Sequence, residues 1–428
     1  MRVLVLGSGG REHALVWAIG RSPLVEDVLC APGSDAIARE ARVSDCDLGN
    51  PDAIVELARG ERSDLVVVGP EAPLVAGIAD RLEAAGIAVF GPSAKAARLE
   101  GSKAFAKELM QRLGIPTAAY RIFNDASAAR RYVLAERRPL VVKVDGLAAG
   151  KGVSVCDDAE EAVQAVHEAM ELGRFGAAGA RLVIEEKLVG EEASFYAICD
   201  GETSVRLAAA QDHKRALDGD RGENTGGMGA YSPTPFLDAD AQHRVEVRIV
   251  RPLLQALREA GTPYRGVLYV GLMLVDGEPH VIEFNVRFGD PETQPLLFRM
   301  ESDLVPLLLG AARGNLGAEL GQMPGFGAPA VCVVLASDGY PRGYATGFEI
   351  QGLDRAARHA EAKVFHAGTR LVADRWVTAG GRVLGVTARG ATLREARERA
   401  YAVAGEIRFK GMRMRRDIAQ RGVGALER

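Results

Sequence analysis

Apolar runs of about four residues alternate with amphipathic stretches through the first hundred positions of the chain. Residues 3–6 (VLVL) stop at Gly7 and a helix starts at Arg11; residues 65–68 and 87–90 each end in Gly-Pro, with a helical segment over 74–86 between them. Short continuous apolar runs read as strands buried on both faces, which predicts a doubly wound sheet with ligands beyond the strands' carboxyl ends. A helix over 93–113 is expected to break at Gly101, with Ser102 capping its second half. Strands follow at 139–146, 152–157, 181–188 and 192–200, with a helix over 157–172. A second helix covers 239–260, and strands at 267–275 and 280–286 turn at Asp276-Gly277 as a hairpin. The MPGFGAP stretch (323–329) reads as a linker to a separate C-terminal α/β unit, with strands near 330–336 and 382–388 and a helix over 393–408.

At 428 residues the chain is too long for one ordinary core. Its net charge of −4 advertises no broad cationic surface for nucleic acid. No apolar run approaches the ~18 residues of a membrane span, and the first is too short for a signal-peptide core. The five cysteines lack CxxC spacing, which fits a reducing compartment and offers no metal site; a cytoplasmic, soluble, multi-domain protein is expected. Glycine is abundant, at 50 residues, where backbone must turn tightly or approach a ligand. Only nine of the 53 cations are lysine, so positions that keep lysine invite a functional question.

The GSGG loop (7–10) opens a helix and offers amides to an anion, although a tight turn without ligand explains it equally well. It fails the dinucleotide fingerprint because Glu12 occupies the third glycine position, and no acid follows the second strand. KVDGLAAGKGVS (143–154) is not a Walker loop, since Gly150-Lys151 is followed by Gly152. As strand–loop–strand it would lay a flexible lid over phosphates, with Lys143 on the strand and Lys151 at the tip. In VIEFNVRFGDPETQ (281–294), alternation puts Glu283, Asn285 and Arg287 on one face, with Val281 behind them, while Ile282, Phe284 and Val286 face the core. A carboxylate and an amide oxygen two residues apart suit Mg²⁺, and Arg287 beside them could grip a phosphate or oxyanion. A long irregular loop over 211–235 carries Asp212, His213, Lys214 and an uncharged GGMG run; for His213, a structural hydrogen bond and a catalytic role are evenly weighted.

In this order, GSGGREHAL, APGS, GPEAPLV, EGSKAF, KVDGLAAGKGV, VIEEKLVGEEASF, QDHKR, NTGGMGAYSP, EFNVRFGDPETQ and KVFHAGT resemble the phosphoribosylamine–glycine ligase (glycinamide ribonucleotide synthetase) family of the ATP-grasp superfamily. The resemblance covers nearly the whole chain. It implies a Rossmann-like domain over 1–101, an ATP-grasp domain of two subdomains over 102–325 with a flexible lid at about 121–188, and a small C-terminal α/β domain over 326–428. By it, Lys103 and Lys143 bind ATP phosphates, and the 146–152 loop, with Gly150, Lys151 and Gly152, closes over them. Residues 185–188, with Glu185, Glu186 and Leu188, form the hinge for adenine. Glu192 holds the ribose; alternation points Glu191 away. Glu283 and Asn285 hold Mg²⁺ (or Mn²⁺). Lys214, Asn224 and Arg287 line the phosphoryl-transfer centre, and Gly9, Gly10, Glu71, Asp290 and Pro291 face phosphoribosylamine. Either His213 or Asp212 accepts the amine proton. The partners are glycine, 5-phosphoribosylamine and ATP, with no nucleic acid or membrane, on a monomer.

Three departures stand out. Glu223 precedes NTGGMG where a small or apolar residue is usual, and Val286 replaces a common cysteine. YVGLML (269–274) lacks the acidic metal ligand often found on the preceding strand. Two other classes compete: a nicotinamide-dependent dehydrogenase, suggested by the first loop, and an ATP-grasp carboxylase, which should lack GDPETQ and QDHKR.

Overall fold

A computed structural model describes residues 1–148, 150–319 and 324–427. The first apolar runs form a five-stranded parallel sheet with Arg2–Gly7 at its centre, flanked by Asp27–Pro32 and then Arg42–Val43 on one side, Leu65–Val68 and then Ala88–Phe90 on the other. Both faces are buried, as continuous apolar strands require. The helix expected over 74–86 is instead two, Glu71–Val75 and Ile78–Ala84, parted at Gly77. The break at Gly101 is as read: Ser102 Oγ accepts from the Phe105 N–H at the head of Lys103–Leu113.

A four-stranded antiparallel sheet (Tyr120–Phe123, Leu182–Glu186, Leu140–Val144, Val153–Cys156, in that order across it) carries helices Ala126–Glu136 and Ala159–Val166 on its own apolar core. A single π turn, His167–Glu171, takes the place of the last part of the helix expected to 172. A second antiparallel sheet is ordered Ser204–Arg206, Glu191–Asp200, Arg265–Val275, Glu278–Asn285. Its hairpin turns at Asp276-Gly277, both with positive φ (50° and 81°), the geometry of a type I′ turn. Opposite it, the helix read over 239–260 runs through a π turn at Glu246–Val250.

The structure also corrects the sequence reading in the pairing of its strands. A β-bulge lies between the pairs Gly271–Glu283 and Leu272–Val281, so two residues oppose one and parity slips. Val281 therefore joins Phe284 and Val286 in the core, while Ile282 is only partly buried. The 211–235 stretch is not irregular: Arg215–Leu217 and Arg221–Asn224 pair as a hairpin, and Gln211–Asp212 and Gly229–Ser232 enter the C-terminal sheet. That sheet continues through Ala330–Ser337, Arg382–Arg389 and Ala362–His366, so the C-terminal unit is not separate from the central segment. Its helix, Leu393–Ala404, ends before the expected 408. The candidate linker lies partly outside the described residues. Its remainder is tied down, because Arg299 donates to the carbonyls of Gly327 (2.8 Å) and Ala328 (3.4 Å).

Glu12 explains the failed dinucleotide fingerprint. Its carboxylate turns back into the glycine loop, accepting the Gly9 N–H (2.7 Å) and the Arg11 Nε–H (2.6 Å), at 3% exposure. It thus takes the place a pyrophosphate would need at this helix start. Gly7 adopts φ +126°, and a Cβ there would fall 2.6 Å from Glu12 Cδ. Gly7→Ala combines left-handed strain with overpacking and should cost about 2–4 kcal/mol, lowering the urea midpoint; an unchanged midpoint would show that the loop yields without cost.

Candidate active site

The strand edge read from sequence is assembled. Glu283 pairs with Gly271 across the sheet, and a Cβ on Gly271 would approach Glu283 Cγ to 3.1 Å. The missing acid on the preceding strand therefore makes room for the Glu283 stem. Asn285 Oδ1 accepts from Arg287 Nη2 at 3.0 Å. The same guanidinium donates to Glu71 (3.2 Å), Glu100 (3.1 Å) and the Phe288 carbonyl (3.2 Å). Burial works against charge on Glu71, yet Arg287 and Arg11 hold its carboxyl below the usual range. Glu71, expected at the substrate, pairs with Arg287. Glu100, which the residue-by-residue reading passed over, also accepts the Val286 N–H at 2.7 Å, and burial raises its pKa. Its signal was present: an acid in the last turn of Ala94–Gly101 opposes the helix dipole and needs a partner elsewhere.

Lys214 sits among carboxylates, 3.0 Å from Glu192 and 3.9 Å from Glu283. Burial disfavours its charge, but Asp212, Glu192 and Glu283 outweigh that and hold the ammonium well above its usual pKa. Asp212 is pushed up to about 8, mainly by burial, with Glu292, Glu192 and Glu283 adding to the rise against Lys214. Glu191 points away, toward Arg421. His213 also points away: its pKa falls to about 3 through burial and the charges of Arg415 and Arg421, and neither ring nitrogen has a hydrogen-bond partner among the described residues.

The lid sheet meets this edge through Lys143, whose ammonium donates to the Ile282 carbonyl (3.0 Å) and pairs with Glu185 (2.9 Å). Lys107, a further lysine the residue reading missed, pairs with the same carboxylate at 3.1 Å and is lowered to about 8 by burial. The Glu185 side chain is therefore an ionic hub beside the expected hinge. The Glu186 N–H is spent on the Ala119 carbonyl, whereas Leu188 lies in the link between strands. Lys103 donates to the Gly146 carbonyl (3.1 Å) at the root of the glycine loop. Gly150 lies against Thr225, the Lys151 N–H bonds to the Ala148 carbonyl, and the Gly152 carbonyl accepts from Val144. Asn224 Nδ2 reaches the Val153 carbonyl at 3.3 Å, so the loop lies next to the NTGG run.

On the opposite side, Asp290 accepts from Arg382 (2.8 Å) and Gln294 (2.9 Å), near Gly10. Arg382 also donates to the carbonyls of Gly226 (2.7 Å) and Asp290 (2.6 Å). Gly227, at φ +112°, lies so close to Pro291 that no side chain fits. The Gly9 amide, occupied by Glu12, is not available to an anion. Glu223 pairs with Arg342 at 2.6 Å, and Val286 is buried in the core, so neither departure disturbs the cleft.

An Mg²⁺ ion fits the Glu283–Asn285 pair, two hard oxygens two residues apart. Among the described residues no three His, Cys, Asp or Glu side chains form a ready cation cage. The ion would complete its shell with phosphate oxygens and water.

Two antiparallel sheets meeting at a lysine-lined edge, with a glycine-rich loop rooted at Lys103 and lying beside Asn224, have the form of an ATP-grasp enzyme. The chain matches the phosphoribosylglycinamide synthetase models for the N domain (residues 1–100), the ATP-grasp (A) domain (101–293) and the C domain (330–421). It belongs to the phosphoribosylglycinamide synthetase family. It is 50% identical over 423 residues to the phosphoribosylamine–glycine ligase of Rhizobium meliloti, covering 99% of each chain. It is 49% identical to that of Salmonella typhimurium, again covering 99% of each. The crystal structure of the Thermotoga maritima phosphoribosylamine–glycine ligase superposes with a TM-score of 0.85 at 34% identity, covering 98% of this chain and 100% of that one. A biotin carboxylase domain from Hydrogenobacter thermophilus shares the fold, with a TM-score of 0.74 at 18% identity over 96% of this chain and 91% of its own.

Arg287 uses a planar fork to hold two carboxylates and an amide oxygen at once, a fixed geometry that the point charge of a lysine does not reproduce. Arg287→Lys should leave ATP affinity near normal and lower turnover at least ~100-fold; unchanged steady-state turnover would remove this residue from the chemistry.

Proposed function

We propose that the chain is an ADP-forming ligase that joins glycine to 5-phosphoribosylamine through glycyl phosphate. The observation that carries this reading is the Lys143 ammonium resting on the Ile282 carbonyl, one residue from Glu283. It brings the phosphate-binding side of the lid onto the metal-binding strand. Membership of the family and full-length identity to ligases of this name support the substrates.

A carboxylate at neutral pH is a poor electrophile. An oxygen of the glycine carboxylate attacks the γ-phosphorus of ATP; the bond to the bridging oxygen breaks and ADP leaves. The amine of phosphoribosylamine then attacks the carbonyl carbon, and the C–O bond to phosphate breaks. The products are glycinamide ribonucleotide, ADP and phosphate, with one proton lost from nitrogen. Positioning and charge neutralisation dominate the first step. Lys143, Lys103 and Lys214 neutralise the phosphates, and the 146–152 loop excludes water. Mg²⁺, which Mn²⁺ can replace, supplies further neutralisation of phosphate charge when held by Glu283 and Asn285. In the second step Arg287 stabilises the oxyanion, a term worth ~3 kcal/mol per good donor; the N–H groups of Gly226, Gly227 and Met228 are spent on Tyr340 Oη, Thr225 Oγ1 and the His213 carbonyl. Asp212, inside the carboxylate cluster, accepts the amine proton; His213 faces the C-terminal sheet and takes no part. Glu192 and the link around Leu188 hold the ribose and adenine, and Gly10, Asp290 and Pro291 face the phosphoribosylamine. The enzyme works as a cytoplasmic monomer.

ADP release measured with glycine, with phosphoribosylamine and with both tests the whole reading. Dependence on both supports it, whereas release with bicarbonate points to a carboxylase. Glu12 leaves no room for a nicotinamide dinucleotide, so titration with NADH should give no signal. Asp212 is protonated below about 8 and cannot then act as a base. The kcat/KM for the amine should therefore rise with pH up to about 8 and level off above it; Asp212→Asn should abolish that limb, and a wild-type profile in the variant would dismiss this base. Glu283→Gln should raise the Mg²⁺ concentration for half-maximal activity several-fold, and an unshifted titration would argue against that ligand.

A further inference from the structure

A second cavity lies away from the nucleotide cleft, between the N domain, the C domain and the segment 297–304, with a volume of about 740 Å³. That is within the ~300–1,000 Å³ of small-molecule sites. Both tryptophans of the chain, Trp17 and Trp376, line it. They belong to one continuous aromatic series. Trp376 packs on His366 (4.6 Å between centroids), His366 on His13 (5.9 Å), His13 on Phe365 (5.6 Å), Phe365 on Trp17 (5.9 Å) and Trp17 on Phe298 (5.6 Å). Burial lowers His366 to about 3, so it is an uncharged ring in this wall.

Two guanidinium groups stand over the tryptophans, Arg21 over Trp17 at 4.7 Å and Arg39 over Trp376 at 4.9 Å. Among the described residues neither is in an ion pair. The nearby acids are otherwise engaged: Glu40 with His13 and Lys363, Asp303 with the Ser22 hydroxyl and the Val305 N–H. Glu301 and Asp354 lie on the exposed rim. The wall thus offers two tryptophan rings, each stacked by a guanidinium that has no ion-pair partner among the described residues. Cation–ring stacking and bidentate guanidinium donation are the chemistry that recognises a planar base carrying a phosphate.

We propose that this seam is a binding site for a phosphorylated planar heterocycle of the nucleoside monophosphate class, separate from the nucleotide cleft. Two short elements connect it to the active site. Helix Gly10–Ile19 starts beside Asp290 and reaches Trp17 about 10 Å further along its axis. Helix Thr293–Phe298 follows Asp290-Pro291 directly and ends at Phe298. Occupancy of the seam would therefore bear on both walls of the substrate side. The inference does not depend on which reaction the cleft performs.

Tryptophan fluorescence is a dedicated reporter here, and AMP is the probe. With the cleft saturated by MgADP, AMP should still quench the emission saturably. Arg21→Gln and Arg39→Gln should each weaken that response at least ~10-fold, as expected for loss of a charge-assisted bond, with MgADP affinity unchanged. Ribose 5-phosphate, which lacks the ring, should bind at least ~10-fold more weakly than AMP. No quenching, quenching that MgADP abolishes, an unaltered response in the arginine variants, or equal affinity for ribose 5-phosphate would each overturn the proposal.

Discussion

The architecture turns on a lysine ammonium shared between two sheets. Lys143 grows from the lid strand, yet its hydrogen bonds go to a main-chain carbonyl of the metal-side strand and to Glu185. Burying that charge is tolerable only because oxygen partners surround it. Removing one partner from a buried pair costs ~3–5 kcal/mol. Glu185 carries two such ammonium groups, Lys143 and Lys107, so the lid is pinned at its base while its glycine loop stays outside the network.

Arginines do the corresponding work between segments distant in the chain. Arg287 ties the grasp strand to Glu71 and Glu100 of the first hundred residues. Arg382 ties the C-terminal sheet to Asp290 and to the glycine run at 226. Arg299 fastens the linker. Each uses several N–H groups in one plane, a geometry that fixes orientation as well as distance. The domains consequently meet as one site, with the C-terminal sheet completed by strands from the central segment.

Much of this was legible in sequence. Parallel strands ending in glycine, the break at Gly101 with its Ser102 cap, the Asp276-Gly277 turn and the oxygen pair on 283 and 285 are all short-range signals, set by sterics and by alternation along a few residues. The parity of Ile282 was not legible, because a bulge depends on the partner strand. The strands within 211–232 were missed for a related reason: two to four residues carry too little pattern, and Gln211–Asp212 and Gly229–Ser232 pair in a sheet whose other strands come a hundred positions later.

By itself, then, the sequence determined which chemical groups the protein owns and the local elements that carry them: a metal-suited strand edge, a glycine flap, and lysines kept among arginines. Tertiary structure alone decided how those groups are spent. It set Glu71 against Arg287 rather than in open space, turned His213 away while leaving Asp212 among carboxylates, and made Glu185 a hub for two lysines. The reason is that ionic partnership and desolvation depend on distances between residues far apart in the chain, and no local period encodes those distances.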